Sequence, residues 1–459
     1  MPRHCLASLV RPANLALVAA LALGAFGCSE TKRAPSPAAE ASPAAAPATT
    51  AEPEEALTPK QKLALARLPG VSGADKMVTE AQQAARRAPG KDDLWVALGQ
   101  AWVRKARQSA DPGFYLNADA CADIALERVP DHKMALDLKG LVLLNGHRFE
   151  DARALAERVV AAHPEDPMAY GTLSDAFLEL GRYDEATAAA QRMVDLKPNL
   201  PSYSRASYLQ WLRGDVVGAK QTARSAIDAG RDTRDPEPRS WVLVQAAMIF
   251  LGEGDVDGAD AGFDKALEKA PEFAPALVGK GRVAMAKKDY ARAAELFSRA
   301  HTSSPLVETA WLLGDARAKA GDDKGAAEAY AIVERDGKRT DPRTLSLFLS
   351  TKDRSPEEAL RLAREEYEAR KDVVTEDALA WALFRAGKIK EAKASITRAR
   401  RLGTKDARLM YHHGAILVAA GEVTKGKKLV AEALALWPTF DATGAAEARA
   451  LLDERVATR

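Results

Sequence analysis

One spacing constrains this chain more than any other feature. The stretches Asn145–Pro164 (NGHRFEDARALAERVVAAHP), Leu180–Pro198 (LGRYDEATAAAQRMVDLKP) and Lys287–Pro305 (KKDYARAAELFSRAHTSSP) repeat one pattern of small, apolar and terminating residues. Ala152 and Ala186 stand 34 residues apart, as do Pro164 and Pro198, Ala259 and Ala293, and Pro271 and Pro305. A fixed period of this length means two-helix units stacked in one dimension, each burying its apolar side against its neighbours. Such an array has no size ceiling, so 459 residues need not be divided among ordinary domains. An apolar content of 47%, much of it Ala, suits close-packed helices.

The clearest unit runs from Pro167 to Pro198. Its first helix carries Ala169, Tyr170, Leu173, Ala176 and Phe177 at helical intervals. Gly181-Arg182 makes the turn, the second helix places Ala186, Ala190 and Met193 on one side, and Pro198 stops it. Small residues are required where the two helices cross, because a larger side chain would push the backbones apart. The same columns recur from Asp92 to Pro438, about ten times. Extra residues are expected around Gln108–Phe114 and over Asp232–Pro238, and the copy from Asp341 to Arg370 keeps Ala359 and Ala363 but little of a first helix.

These units resemble the tetratricopeptide repeat. The resemblance implies an all-α superhelical solenoid over residues 91–440, preceded by a helical half-repeat at 61–90 and closed by a capping helix at 441–459, which covers the last apolar face.

The N-terminus is organised differently. Arg3 and Arg11 precede the apolar stretch Leu15–Phe26, which is short for a bilayer span, and Ala25-Phe26-Gly27 leads into Cys28. This resembles a bacterial lipoprotein signal over residues 1–27, with Cys28 lipidated, although Ala25 and Phe26 depart from the usual residues. The alternative is an ordinary secretory signal cleaved at the same bond. Residues 28–60 are rich in Ala, Pro, Ser, Thr and Glu and are expected to form an unstructured tether. Once Cys5 leaves and Cys28 is capped, Cys121 stands alone and no disulfide framework forms.

Motifs for chemistry fail on their own terms. Gly421–Lys428 (GEVTKGKK) approaches a phosphate-binding loop, but Lys428 stands in place of the magnesium-holding hydroxyl and no strand precedes it. Asp255, Asp257 and Asp260 cluster without the Gly and Glu of a calcium loop, and Asp255 suits a helix start. His412 and His413 are adjacent on a helix and point about 100° apart, so they do not form a metal-binding pair. No nucleophile motif appears, and a net charge of +2 without a long basic run does not suit nucleic acid. The sequence therefore points to no enzyme, no cofactor, no metal and no nucleic-acid partner.

In the family the first helices line the concave face, which grips partners. On this chain the inward columns hold Tyr208, Trp211, Trp241, Met248, Trp311, Trp381, Phe384 and Tyr411, an aromatic and apolar groove, the alternative being that several of them, Trp241 and Trp311 among them, are helix-packing core. The expected function is a non-catalytic protein-interaction scaffold or adaptor. It would be exported, lipid-anchored in the bacterial envelope and facing the periplasm, and it would bind protein or peptide partners of a secretion or assembly complex. The membrane would be met only through the lipid. The alternative is an envelope receptor binding polysaccharide or peptide directly.

Overall fold

The protein was analysed as a computed structural model, which describes residues 57–68, 70–233 and 235–453. The leader, Cys28 and the tether up to residue 56 lie outside the described residues. The described residues form twenty-three helices and no strand. Two helices open the array, α1 (Pro59–Ala64) and α2 (Gly73–Arg87). Helix α1 begins inside the segment expected to be tether, because Thr58 and Gln61 form a reciprocal capping box around its first turn.

Ten helix pairs follow. They are α3 (Asp92–Ser109) with α4 (Phe114–Arg128), α5 (Lys133–Asn145) with α6 (Phe149–Ala162), and α7 (Pro167–Glu179) with α8 (Tyr183–Leu196). Next come α9 (Leu200–Leu212) with α10 (Val216–Ala229), α11 (Glu237–Gly252) with α12 (Val256–Leu267), and α13 (Ala274–Ala286) with α14 (Tyr290–Ser303). The last four are α15 (Val307–Lys319) with α16 (Asp323–Thr340), α17 (Pro342–Thr351) with α18 (Pro356–Ala369), α19 (Val373–Arg385) with α20 (Ile389–Ala399), and α21 (Ala407–Ala419) with α22 (Val423–Leu436). A final helix, α23 (Gly444–Asp453), packs on α21 and α22.

Each pair is closed tightly because its crossing residues are small. Ala152, Ala186, Ala219, Ala259 and Ala293 are all fully buried. The helices approach so closely that a serine on the first reaches a carbonyl on the second. Ser174 Oγ donates to Ala186 O at 3.0 Å, Ser207 Oγ to Ala219 O at 2.7 Å and Ser346 Oγ to Ala359 O at 2.7 Å. The turns are equally regular. At Gly181 the chain turns left-handed (φ 73°), and Arg182 N–H returns to Phe177 O at 2.7 Å, which satisfies a carbonyl at the helix end. His147, Lys288 and Asp353 hold the same slot without glycine. Asp255 caps α12 by accepting from Gly258 N–H at 2.9 Å, as its sequence context suggested.

The irregular copies are resolved by helix length. The extra residues near Gln108 lengthen α3 to 18 residues as well as the turn after it. The weak copy at 341–370 still makes a pair, with a ten-residue α17 that is buried from Arg343 to Thr351. At ten residues α17 is the shortest of the first helices, so it offers few helical intervals for periodicity to find. The two insertions are also tied together, since Arg104 on α3 pairs with Asp235 and lies 3.5 Å from Glu237.

First helices of neighbouring pairs pack on one another, as α5 on α7, α11 on α13 and α17 on α19, so the array curves with its first helices inside. The curvature is sufficient for the array to meet itself. Arg370 donates to Glu179 Oε2 through Nε at 3.0 Å and NH2 at 2.7 Å, and Lys371 N–H donates to Glu179 O at 2.7 Å. One pair further along, Thr404 Oγ1 donates to Leu212 O at 2.6 Å, and Arg401 donates to Gly181 O at 3.3 Å. A Cβ on Gly181 would lie 2.7 Å from Lys371 O, so this glycine serves both the turn and the seam. Turns of the early pairs thus dock on joints between the late pairs.

Because Ala186 sits at a crossing with no free volume, Ala186→Leu is expected to cost about 1–3 kcal/mol by overpacking. Denaturant or thermal unfolding measures this, and an unshifted transition would mean that the crossing lies elsewhere.

Candidate functional site

The inner wall is built from one side of each first helix. Tyr208 and Trp381 precede their turn glycines, Gly214 and Gly387, by the same interval, and Trp311 and Tyr411 share another interval before Gly321 and Gly421. The inward placement expected from the sequence therefore follows from helix register. The expected open aromatic groove does not. Trp381 is 1% exposed, with the His412 ring stacked on it at 4.0 Å, Phe384 at 4.9 Å and Tyr411 at 5.5 Å. Trp311 is buried edge-on against Phe348, Trp211 is buried and stacked on Tyr208, and Met248 and Tyr411 are buried. Tyr208, Trp241 and Phe384 are half-buried against the core. The physical reason is the packing of neighbouring first helices: Trp381 is covered by rings of α21, Trp311 by Phe348 of α17, and Tyr411 is bonded by Glu447 of α23.

What that side holds instead is charge. Arg205 makes a two-pronged bond to Asp175, at 2.9 and 2.7 Å, with both residues buried. Arg343 lies 3.5 Å from Asp372, which Arg370 also approaches at 3.6 Å. Arg282 pairs with Glu308 at 2.7 Å and His412 Nδ1 with Asp377 at 2.8 Å. Burial pushes the Glu179 carboxyl up, and the Arg370 guanidinium opposes this. At Asp372 the order reverses: burial would raise the carboxyl, but Arg343 and Arg370 hold it below its ordinary value. Single-sequence reasoning missed these residues. The available signal was an ionisable residue inside an otherwise apolar helix face, as Asp175 is among Leu173, Ala176 and Phe177.

Toward the C-terminus the wall is covered by α23. Glu447 accepts from Arg385 at 2.7 Å and from the Tyr411 hydroxyl at 2.6 Å. Just before α23, Thr443 accepts from Lys352 at 2.9 Å, and Lys352 also donates to Asp315 at 2.6 Å. On the first helices that precede it several buried polar atoms have no partner among the described residues, namely Trp311 Nε1, Trp381 Nε1, Ser350 Oγ, Thr351 Oγ1 and Arg385 Nε. They lie on the packed first helices α15, α17 and α19.

Other candidates from the sequence have structural roles. Gly421 is a left-handed turn (φ 86°), and α22 starts two residues later. Cys121 is buried, and burial raises its thiol far above the ordinary range, so it is a packing residue and not a nucleophile. No group of three His, Cys, Asp or Glu side chains able to hold a metal occurs among the described residues.

A solenoid of tightly crossed helix pairs, curved with its first helices inside, defines a class of interaction scaffold. The tetratricopeptide repeat family model matches residues 111–167, 138–201, 244–307 and 378–439, and the chain is a tetratricopeptide repeat protein. No curated protein matches it. Among solved structures it is similar to the human IFIT1 dimer with m7Gppp-AAAA, at 15% identity and TM-score 0.44, covering 79% of this chain and 85% of that one. It is also similar to a thermophilic TPR protein of Thermus thermophilus (22% identity, TM-score 0.35, 39% of this chain and 92% of that one). Yeast Tom70 is a further similar structure, at 15% identity and TM-score 0.36, over 82% of this chain and 95% of that one.

If Trp381 is core, Trp381→Ala should cost about 3–5 kcal/mol of stability. Partner binding should fall only in proportion to the fraction unfolded. A variant that melts like the parent would return Trp381 to the accessible surface.

Proposed function

We propose that this protein is an exported, lipid-anchored envelope scaffold that holds protein partners and carries out no reaction of its own. The repeat array supports the scaffold role. The lipid anchor rests on the sequence around Cys28, and the periplasmic location follows from that anchor. The observation that carries partner binding is the pair of unpartnered hydroxyls at the end of α17, Ser350 Oγ and Thr351 Oγ1. An unmade hydrogen bond on a buried group costs about 1–3 kcal/mol. Two such groups, beside Lys352 and its bond to Thr443, are placed to take polar contacts from another chain once α23 moves aside. A peptide segment supplies backbone amides or carbonyls for these hydroxyls. Access runs past α23, which is held by Ala445 and Ala448 packed in the core and by polar contacts at Glu447 and Thr443.

The scaffold reading is tested by capturing the tagged full-length protein from detergent-solubilised envelopes, with Ser350→Ala/Thr351→Ala as the paired variant. A stable protein assembly is expected with the parent, and at least about tenfold less of it with a variant that removes two interface hydrogen bonds. Both should melt alike. A protein recovered free and retained on glycan would favour the receptor alternative. Labelled palmitate should enter the parent and not Cys28→Ala, and a wholly soluble parent with an unmodified N-terminus would refute the anchor.

A further inference from the structure

The N-terminal end of the array differs from the rest of its surface in two independent ways. Among the described residues seven large apolar side chains stand exposed, and four of them are Leu63, Val71, Met77 and Leu116. Val71 is 86% exposed and Leu116 64%. They surround one end of the solenoid. Asn117 Nδ2 donates to Leu63 O at 2.7 Å, which sets Leu116 beside Leu63, and Ser72 Oγ reaches Gln108 at 3.4 Å, which brings Val71 to the turn before α4.

The second difference is charge. Residues 57–91 hold seven Lys or Arg against only Asp75 and Glu80, in a chain whose net charge is +2. Asp75 is buried and taken by Lys105 at 2.8 Å. Lys62, Arg67, Lys76, Arg87 and Lys91 are exposed, and none pairs with a carboxylate among the described residues. On α2, Lys76 and Arg87 share the outward side with Gln83, and Met77 stands beside Lys76. Bonds from Gln82 Nε2 to Ala66 O at 2.8 Å and from Arg86 to Leu65 O at 3.4 Å hold the segment after α1 against α2, so the two carriers of the patch form one surface.

Exposed apolar side chains set among unpaired cations match an anionic lipid surface. The apolar groups enter the interface while the long basic side chains reach the headgroups. Position in the chain favours the same occupant. The apolar stretch Leu15–Phe26 and Cys28 precede this end directly, and the segment between Cys28 and residue 57 separates them by at most about 100 Å. We propose that the N-terminal end formed by α1, α2 and the start of α4 docks on an anionic bilayer. A basic patch beside a lipid anchor adds an electrostatic signal to the apolar one. The far end, with its covered inner wall, then points away from the membrane. The proposal rests on the bilayer attachment read from the leader only for the source of the bilayer, and its test is independent of lipidation.

The experiment uses full-length Cys28→Ala protein, which carries no lipid, floated with vesicles of phosphatidylcholine alone or mixed with phosphatidylglycerol. Binding is expected only to the anionic vesicles and should disappear in high salt. The charge-reversed form Lys62→Glu/Arg67→Glu/Lys76→Glu/Arg87→Glu should bind at least about tenfold less, since each basic residue near the surface contributes. Circular dichroism and melting establish that this form is folded. Leu63→Asp and Val71→Asp, each alone, provide a second test and should weaken binding in the same direction. Equal binding of parent and charge-reversed protein, or equal binding to neutral vesicles, would mean that the apolar leader alone attaches the chain. That result, or no binding to either vesicle, overturns the proposal. Palmitate labelling of the unmutated chain reports on the anchor separately, so the two readings fail distinguishably.

Discussion

A helix array that bends far enough to meet itself must pair every charge it encloses. In this protein Glu179, at the end of α7, receives Arg370 and the backbone N–H of Lys371, five pairs further along. Taking such ions out of water costs several kcal/mol each, and only good geometry with further hydrogen bonds offsets it. Asp372, Arg343, Asp175 and Arg205 supply that geometry around the seam. The closure builds on two packings: fully buried alanines close each pair, and first helices of neighbouring pairs pack on one another and bend the array. Period, curvature, closure and a charged interior therefore form one causal series that begins with small residues at fixed spacing.

The seam also divides the molecule into surfaces of different character. The concave side is a paired lattice of charge, with aromatic rings filling the spaces between first helices. Its C-terminal stretch is covered by α23 and keeps donors without partners. The opposite end exposes apolar and basic side chains. A scaffold attached at one end and receptive at the other is the arrangement that this distribution supports.

Much of the fold was legible in the sequence. The 34-residue period, the turn glycines and the terminating prolines reported helix pairs directly, because each rests on local backbone geometry. The pair at 341–370 was faint, since its ten-residue first helix is too short for the interval to repeat. The inward columns holding Trp381 and Tyr411 were also legible, as helix register fixes which way a side chain points. Their burial was not, because it depends on stacking between one first helix and the next, such as His412 on Trp381, and on the cover of α23, which no single helix reports. The pairing of Asp175 with Arg205 was not legible either, since the two stand 30 residues apart on different helices.

A double-mutant cycle on Glu179 and Arg370 tests the closure most directly. Arg370→Ala leaves buried Glu179 without its cation and should destabilise by about 3–5 kcal/mol, whereas Glu179→Ala leaves Arg370 with Glu366 and Asp372 and should cost less. The double variant should lose less than the sum by more than about 1 kcal/mol, the behaviour of residues in contact. Additivity within about 0.5 kcal/mol would mean that the two residues do not meet and that the array stays open.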